Sequence, residues 1–395
     1  MTSTTEVTFS KAEIERYSRH LIIPDFNIVG QRKLKAAKVL VVGGGGLGSP
    51  MLQYLAAAGV GTIGIVDYDV VDDSNLQRQV LYGLESIGKL KVDEAKARLL
   101  SQNPHITINT HNTLLTSDNA LEIIKDYDVV ADGTDNFPTR YLVNDACVLL
   151  GKTNVYASIF QFEGQVSVFN YTDKDGNTGP NYRDLFPTPP PPGLVPSCAE
   201  GGVLGVLPGI IGSIQALEVI KVVSGVGDPL AGRLFLFDAL SFTTRILKIH
   251  KDNSNPLSGE NPSQTELIDY VQFCGVPAIE GESLEKPDAD LKRKSVHDLV
   301  TYRKDDTDFQ LIDVREAYEY EIVNIQGELM PEGEIEAFLN KVDRNKPVIV
   351  HCRSGKRSAN VIRKLESEYG FTNLYNLEGG ILAYVEEIDN SLPKY

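Results

Sequence analysis

The sequence has few cysteines, and their spacing argues against two common kinds of structure. The 395 residues include four cysteines, three methionines and no tryptophan. The cysteines are Cys147, Cys198, Cys274 and Cys352, and no two of them form a CxxC pair. A structural zinc site is therefore not expected, and neither is a disulfide framework in a chain of this size. Each cysteine has to be judged separately, as a buried apolar residue or as a reactive thiol.

The sequence also lacks an excess of positive charge and a visible targeting segment. It has 38 Lys and Arg residues against 54 Asp and Glu residues, a formal net charge of -16, so it lacks the basic excess typical of nonspecific nucleic-acid binding. No apolar run reaches the length of a membrane span, and residues 1–6 have neither the basic nor the apolar region of a secretory signal. We therefore expect a cytoplasmic protein without a nucleic-acid or membrane partner.

Strand-like and helix-like patterns alternate over the N-terminal third of the chain. Strands are predicted at 39–42, 62–67, 106–112 and 128–132, and helices at 50–58, 89–100 and 119–125. This alternation is typical of an α/β fold with a doubly wound, mainly parallel sheet. Residues 165–170 alternate like an exposed strand. The apolar run at 203–223 contains Glu218 and Lys221, which favours a buried helix over a membrane hairpin.

Composition divides the chain into two domains. Residues 251–262 are rich in Asn, Ser, Pro and Gly, and residues 280–293 are charged without a clear period. A compact α/β pattern resumes near Ser295. We therefore predict a domain at 1–250, a linker at 251–291 and a smaller α/β domain at 292–395.

A glycine turn follows the first predicted strand. Gly43, Gly45 and Gly48 have GxGxxG spacing between a strand and a helix, where backbone amides and the helix N-terminus can bind phosphate. Asp67 ends the next strand, at the position where an acidic residue holds ribose hydroxyls in nucleotide-binding folds. Together these features predict a nucleotide site.

Charged residues beyond Asp67 bear on the chemistry of that site. Arg78, Lys91 and Asp135 would suit phosphoryl chemistry, because cations offset the charge of a triphosphate and a carboxylate can hold magnesium. Hydride transfer has no evident need for them. From these residues alone a nucleotide-dependent oxidoreductase stays open as an alternative, as does a solvated surface for each charged residue taken singly.

Several motifs, in order, resemble the MoeB/ThiF family. They are RYSRH at 16–20, the glycine turn, Asp67 with Asp69, SNLQRQ at 74–79 and GTDN at 133–136. The resemblance covers roughly residues 10–250. It implies that ATP adenylates the C-terminal Gly-Gly carboxylate of a ubiquitin-like sulfur carrier protein.

The same resemblance assigns roles to individual residues. It implies that Asp67 holds the ribose and that Asp135 binds Mg2+. It implies phosphate contacts for Asn75, Arg78 and Lys91.

The resemblance also has implications for Arg19, for Cys198 and for residues 181–184. Arg19 would reach the ATP of the partner subunit in a homodimer. Cys198 would lie on a crossover loop where a thioester-like or disulfide intermediate forms, with a buried small residue as the alternative. Many members hold a zinc ion with two CxxC pairs, but residues 181–184 read NYRD here and no pair follows His250. We therefore predict no zinc and a region held by packing instead.

A second reactive motif lies near the C-terminus. Cys352 follows an apolar strand at 348–351, and a helix is predicted from Ser358 onward. Between them lie Arg353, Ser354, Gly355, Lys356 and Arg357, which supply three cations and several backbone amides. Positive charge and a helix N-terminus favour the thiolate form of a cysteine and stabilise an anionic persulfide or oxyanion.

Two chemistries use a cysteine in such a loop. Cysteine phosphatases place five residues between the cysteine and an arginine, whereas here that position is Ser358 and Arg357 leaves only four between. The smaller loop resembles the rhodanese sulfurtransferases, as do LIDVRE at 311–316 and GGI at 379–381. This resemblance covers about residues 292–395 and departs at 323–328 (VNIQGE), where the family usually has a histidine and an alanine.

Together the two resemblances describe a MoeZ-type fusion of an adenylation domain and a rhodanese domain. They imply that a persulfide on Cys352 attacks the adenylated carrier and that a second thiol, Cys198, releases a thiocarboxylate. The alternative is an activating enzyme that forms a carrier adduct on Cys198 and has an idle rhodanese domain. The sequence leaves open the carrier, its pathway and the sulfur donor, for which thiosulfate and a desulfurase persulfide are both candidates.

Overall fold

The computed structural model describes residues 7–191, 201–275 and 291–395. The chain divides into two compact units, Met1–Glu280 and Gly281–Tyr395, and each is described by itself.

The first unit is built on one eight-stranded sheet. Its strands are β1 (Lys38–Val42), β2 (Thr62–Val66), β3 (Thr107–His111), β4 (Val129–Asp132), β5 (Thr153–Phe160), β6 (Glu163–Phe169), β7 (Arg233–Asp238) and β8 (Thr243–Lys248). Their order is β3-β2-β1-β4-β5-β6-β7-β8. The strands from β3 to β5 pair in parallel, and those from β5 to β8 pair antiparallel. The predicted doubly wound, mainly parallel sheet is confirmed.

The described helices of this unit fill both faces of the sheet. They are α1 (Lys11–Arg16), α2 (Ser18–Leu21), α3 (Asn27–Ala36), α4 (Gly48–Ala58), α5 (Lys91–Gln102), α6 (Ala120–Ile124), α7 (Phe137–Leu149), α8 (Tyr182–Leu185), α9 (Val206–Ser224) and α10 (Tyr270–Phe273). Strand β1 shows the two-sided burial, because Val39 and Val41 join the core beneath α4 and α9 while Leu40 and Val42 join the core beneath α6 and α7. Each such side chain contributes about 1.5–3 kcal/mol when fully buried.

Strand β6 is buried on both faces, so its predicted exposure was wrong. Val166 and Val168 belong to the core on one face, and Phe169 belongs to the core on the other. The strand lies between β5 and β7, and α9 covers one face of it.

Helix α9 is buried on one side only. Gln215 on its inner face donates hydrogen bonds to the carbonyl oxygens of Asp132 (2.7 Å) and Val155 (2.8 Å). On its outer side Val206 and Leu217 are 60% and 52% exposed. The helix has 19 residues, and by length and composition it could also cross a membrane. The predicted helix is thus present but is buried only on the side that faces the sheet. The expectation that no apolar run reaches the length of a membrane span does not hold.

Much of the predicted linker folds onto the first unit. Leu257, Tyr270 and Cys274 are buried there, and Asn255 donates a 2.8 Å hydrogen bond to Asp184. In residues 251–275, the polar composition that suggests a linker is used instead for turns and side-chain hydrogen bonds.

A buried ion pair joins this segment to α7 and α8, in the region for which we predict packing in place of zinc. Arg183 forms hydrogen bonds with both carboxylate oxygens of Asp145, and Tyr270 donates a 2.7 Å hydrogen bond to the same carboxylate. The guanidinium also lies over the rings of Tyr141 and Phe273. Within the described residues no group of three or more potential metal-binding His, Cys, Asp or Glu side chains is found. The absence of zinc stays a prediction, which metal analysis of the purified protein would test.

The second unit is a smaller α/β domain around a five-stranded sheet. Its strands are β9 (Arg293–Lys294), β10 (Gln310–Asp313), β11 (Glu328–Leu329), β12 (Val348–His351) and β13 (Leu374–Leu377), and its α-helices are α11 (Val296–Lys304), α12 (Ala317–Ile322), α13 (Lys356–Tyr369) and α14 (Gly380–Glu387). The order is β11-β10-β12-β13-β9, with every pair parallel. Strand β12 is central and fully buried, and Cys352 is the first residue after it.

Candidate functional sites

The glycine turn connects β1 to α4 in a conformation that requires glycine. Gly43 has φ +94°, in the left-handed region that side chains disfavour. A Cβ atom at Gly48 would lie 2.0 Å from the carbonyl oxygen of Gly43, whereas one at Gly45 would meet only the Gln79 amide, at 3.7 Å. The backbone at Gly48 is therefore packed tightly against the Gly43 carbonyl, as in a phosphate-binding turn at a helix N-terminus.

Asp67 and Tyr82 fix the centre of this turn. The Gly44 N–H donates a 2.7 Å hydrogen bond to Asp67 Oδ2, and the Tyr82 hydroxyl donates a 2.9 Å hydrogen bond to the Gly44 carbonyl. Burial raises the pKa of the Asp67 carboxyl above its usual value, against the lowering effect of the nearby Lys91 ammonium. The sequence indicated Asp67 from its place at the end of a strand, but it gave no signal for the contact made by Tyr82.

The predicted phosphate contacts lie on the segment after β2. The Lys91 ammonium is buried and forms a 2.7 Å ion pair with Asp69. Arg78 donates a 3.0 Å hydrogen bond to the Ser74 carbonyl, and its Cγ would lie 3.7 Å from a Cβ atom at Gly46. Asn75 ends a short 3₁₀ helix, Asp73–Asn75. Arg78 and Lys91 thus lie around the glycine turn, and their roles toward phosphate stay predictions.

Asp135 lies in the loop after β4, beside the glycine turn. A Cβ atom at Gly43 would lie 3.0 Å from the carbonyl oxygen of Gly133, and the Asp135 side chain is exposed. The turn and this loop, which the sequence could only place on neighbouring strand ends, are therefore in contact.

Two further residues of this loop region were missed from the sequence. Asp132 is 1% exposed, and its Oδ1 accepts hydrogen bonds from the N–H (2.9 Å) and hydroxyl (2.6 Å) of Thr134. Its Oδ2 has no hydrogen-bond partner among the described residues. Burial raises the pKa of Asp132. Arg140, also buried, donates a 3.3 Å hydrogen bond to the Thr134 carbonyl, so both side chains support the loop that carries Asp135.

Arg19 lies on α2 and is exposed. In the part of the chain that the structure describes, no hydrogen bond or ion pair to its guanidinium is found. This is compatible with a contact outside its own subunit, which stays a prediction.

The cysteines differ in their surroundings. Cys198 lies outside the described residues, so its proposed role is not addressed by the structure. Cys147 is fully buried, and burial raises the pKa of its thiol. Burial also raises the pKa of Cys274, to about 11. Both residues pack as apolar core residues.

Cys352 lies at the start of a tight turn from β12 into α13. We call residues 352–357 the sulfur loop, of which the last two form the start of α13. The thiol is 1% exposed. Its Sγ accepts a hydrogen bond from the Gly355 N–H (3.1 Å) and lies 3.4 Å from the Ser358 hydroxyl oxygen. Gly355 has φ +95° and precedes α13. Asn376 supports the loop by accepting a hydrogen bond from Ser358 and donating one to the Gly355 carbonyl. The sulfur is thus held against donors that would also stabilise an anion there.

Two of the three cations of the sulfur loop are bound by residues outside the loop, which the sequence did not indicate. Lys356 and Ser354 are exposed. Arg357 forms a bidentate ion pair with Glu319, with both N–O distances at 2.6 Å. Arg353 donates a 2.8 Å hydrogen bond to a main-chain oxygen of Tyr395. Neither Glu319 nor Tyr395 was identified from the sequence, because both lie far from the loop along the chain.

His351 precedes the reactive cysteine and is completely buried. Neither ring nitrogen has a hydrogen-bond partner among the described residues, although Nε2 lies 3.6 Å from Asp313. Burial lowers the pKa of His351 to about 4, so the ring is neutral near pH 7. In the segment where the family pattern departs, Gly327 packs against this ring, since a Cβ atom there would lie 3.0 Å from Nε2.

Comparison with known proteins identifies a family for each of the two units. The model of the ThiF family matches residues 17–258, and that of the rhodanese-like domain matches residues 296–387. The chain is 46% identical to the probable adenylyltransferase/sulfurtransferase MoeZ of Mycobacterium tuberculosis over 98% of its own length and 96% of that protein. It is 43% identical to the adenylyltransferase and sulfurtransferase MOCS3 of Drosophila yakuba, over 97% of the chain and 85% of that protein.

Two other comparisons concern the first unit. The sulfur carrier protein adenylyltransferase of Thermus thermophilus is 53% identical over 68% of the chain and 99% of its own length. Among solved structures, E. coli MccB has a TM-score of 0.55 at 21% identity, over 65% of this chain and 77% of that one, which supports the fold alone. The chain therefore belongs to the ThiF family and carries a rhodanese-like domain after it, in the arrangement of the adenylyltransferase/sulfurtransferase enzymes.

Proposed function

We propose that this enzyme adenylates the C-terminal Gly-Gly of a ubiquitin-like sulfur carrier protein and then converts it to a thiocarboxylate with sulfur from Cys352. The observation that carries the proposal is the presence on one chain of two built sites. One is the glycine turn fixed by Asp67 and Tyr82. The other is the thiol of Cys352, which accepts a hydrogen bond from the Gly355 N–H and lies beside the Ser358 hydroxyl.

In the first reaction a carboxylate oxygen of the carrier attacks the α-phosphorus of ATP, and pyrophosphate leaves. Such a reaction depends on placing the reactants and offsetting negative charge. We assign the ribose to Asp67 and the phosphates to Arg78, Lys91, Asn75 and the turn amides. Lys91 is available for this role by exchanging its partner Asp69 for a phosphate.

The residues beside the glycine turn fit a magnesium ion. Mg2+ is bound in such sites by one or two carboxylates together with phosphates and water. Asp135 is exposed beside the turn, and the neighbouring Asp132 has one carboxylate oxygen without a partner among the described residues. When bound there, the ion would offset phosphate charge. We assign Asp135 as its protein ligand.

In the second reaction the Cys352 thiolate attacks the outer sulfur of a donor. With thiosulfate, the bond between the two sulfurs breaks, sulfite leaves and Cys352 carries a persulfide anion. The terminal sulfur of that persulfide then attacks the carbonyl carbon of the acyl-adenylate, and AMP leaves. Dividing one difficult exchange into covalent steps is ordinary nucleophilic catalysis.

Release of the product needs a second thiol, and we assign this role to Cys198. Its thiolate attacks the Cys352 sulfur of the acyl disulfide, the carrier thiocarboxylate leaves and a Cys198–Cys352 disulfide remains. An external dithiol must reduce that disulfide before the next turnover. A desulfurase persulfide can replace thiosulfate in the same scheme.

We also propose a cytoplasmic homodimer in which Arg19 completes the partner's nucleotide site. The exposed Arg19 guanidinium supports this assignment. We propose no nucleic-acid or membrane partner, and the net charge of -16 supports the first of these exclusions.

Pyrophosphate exchange tests the adenylation half of the proposal. Labelled pyrophosphate should enter ATP only when a carrier with a free Gly-Gly carboxylate is present, and Lys91→Ala should reduce the rate. Intact mass spectrometry of the enzyme then distinguishes sulfur transfer from the formation of a carrier adduct on Cys198. A stable, thiol-sensitive carrier adduct that forms on Cys198 without any sulfur donor would favour the adduct-forming alternative. Binding of NAD(H) without ATP binding would contradict adenylation altogether.

A further inference from the structure

Glu319 and Tyr395 form a connected network on the sulfur loop. Glu319 holds Arg357 through two hydrogen bonds of 2.6 Å. The Tyr395 hydroxyl donates a 3.2 Å hydrogen bond to the same carboxylate and accepts one from Arg315. A main-chain oxygen of Tyr395 accepts a hydrogen bond from Arg353. Two loop arginines are therefore bound by groups that lie outside the loop.

Several hydrogen bonds fix the position of the Glu319 carboxylate. The side chain is 7% exposed, and the Glu316 N–H donates to it at 3.0 Å in addition to Arg357 and Tyr395. Burial acts to raise the pKa of Glu319, but the hydrogen bonds and charge of its neighbours outweigh burial and hold the pKa below its usual value. The carboxylate is therefore ionised near pH 7 and offsets the charge of Arg357.

This pairing changes what the sulfur loop offers to an incoming anion. An arginine fork is well matched to the oxygens of a sulfonate, carboxylate or phosphate. In this structure both terminal nitrogens of Arg357 are already bound to a carboxylate. A small dianion such as thiosulfate would have to compete with Glu319 for that fork.

We propose that Glu319, held in place by Tyr395, is a specificity-determining residue that masks Arg357 and so weakens the preference of the sulfur loop for small anions. The inference rests on the proposed sulfur transfer at Cys352 and deepens it. Neither Glu319 nor Tyr395 forms a bond to sulfur in this scheme, since both act by positioning and neutralising a loop arginine.

Paired alkylating reagents test this without requiring sulfur transfer. Iodoacetate and iodoacetamide both alkylate a thiolate with loss of iodide, but only the first carries a negative charge. The rate of each at Cys352 is measured on the full chain by peptide mass spectrometry, at low and high salt. The ratio of the two rates reports the electrostatic potential that an anion encounters near Cys352. A general opening of the buried loop would accelerate both reagents alike and leave this ratio unchanged.

Glu319→Gln should raise the iodoacetate to iodoacetamide ratio roughly three- to tenfold at low salt, with less effect at high salt. Tyr395→Phe should raise it by a smaller factor, because the carboxylate stays but loses one of its donors. Glu336→Gln is the matched control, since it removes a carboxylate that pairs with Lys364 elsewhere in the same unit, and it should leave the ratio unchanged. Adding Arg357→Met to Glu319→Gln should abolish the gain.

An unchanged or lower ratio in Glu319→Gln would overturn the proposal. If that variant does not fold, Tyr395→Phe decides, and a ratio equal to the wild-type value overturns it. The KM for thiosulfate gives a second readout, which should fall in Glu319→Gln while kcat changes little. A wild-type chain that transfers no sulfur from any donor would contradict the proposed function, whereas the alkylation ratio would still decide the role of Glu319.

Discussion

Arg183 and Asp145 form an ion pair that is almost completely buried, with side-chain exposures of 3% and 0% and a 2.7 Å contact. Removal of one partner from such a pair leaves an uncompensated buried charge and typically costs about 3–5 kcal/mol. We expect Asp145→Ala to lower the unfolding free energy of the first unit by about this amount, as measured by denaturant unfolding.

Asp228→Ala is the matched control for that prediction. It breaks an ion pair with Arg233 in which the aspartate side chain is 84% exposed, and such pairs contribute about 1 kcal/mol or less. Equal effects of the two substitutions would contradict the account of the buried network.

Gly48→Ala should weaken nucleotide binding while the second unit stays folded. The new methyl group would lie 2.0 Å from the Gly43 carbonyl, so the turn must move away from the geometry that presents its amides. We expect ATP affinity to fall by about tenfold or more, at least ~1.4 kcal/mol, in calorimetric titration. Gly209→Ala is the control, because a Cβ atom at Gly209 meets nothing within 4 Å, and it should bind ATP normally.

Subunit mixing tests the assignment of Arg19. If Arg19 acts in the partner's site, Arg19→Ala and Lys91→Ala should each be inactive in carrier adenylation, yet a mixture should regain activity. In a mixed dimer one nucleotide site then contains Lys91 from one subunit and Arg19 from the other. A mixture as inactive as its components, under conditions where subunits demonstrably exchange, would contradict the shared site.

His351 should make the second unit sensitive to acid. Its pKa is lowered from 6.5 to about 4 by burial, so between these values the unfolded chain binds a proton that the folded chain does not. Stability is therefore lost as the pH falls through this window, by about 3 kcal/mol from this group. Hydrogen exchange of β12 in wild type and His351→Leu should show a steeper loss in the wild type. Parallel slopes would mean that His351 does not titrate in this way.

Local patterns were sufficient for the parts of the fold and site that depend on neighbouring residues. Strands β1 to β4 fall within one residue of the expected ends, because buried parallel strands are short continuous apolar runs. The glycine turn and Asp67 could likewise be identified from the sequence, because their spacing is set by one βαβ unit. Cys352 was identified from a strand, a loop and a helix that are consecutive.

The failures came from contacts between distant parts of the chain. Strand β6 alternates in sequence but is covered by α9, which begins 37 residues after the strand ends (206 minus 169), so its predicted exposure was wrong. Residues 251–275 have the composition of a linker, yet Tyr270 binds Asp145 across 125 positions. The ion pair of Glu319 with Arg357 spans 38 positions. No periodicity or spacing rule reports such pairings, because they are decided by tertiary packing.

The central claim is that one chain adenylates a carrier and then gives it sulfur from Cys352. The most direct measurement is the intact mass of a Gly-Gly carrier after incubation with ATP, magnesium, thiosulfate, a dithiol and either wild-type enzyme or Cys352→Ala. The account predicts replacement of one oxygen by sulfur with the wild type. With Cys352→Ala it predicts no sulfur gain, while pyrophosphate exchange continues. Carrier thiocarboxylate formed at the wild-type rate by Cys352→Ala would contradict it.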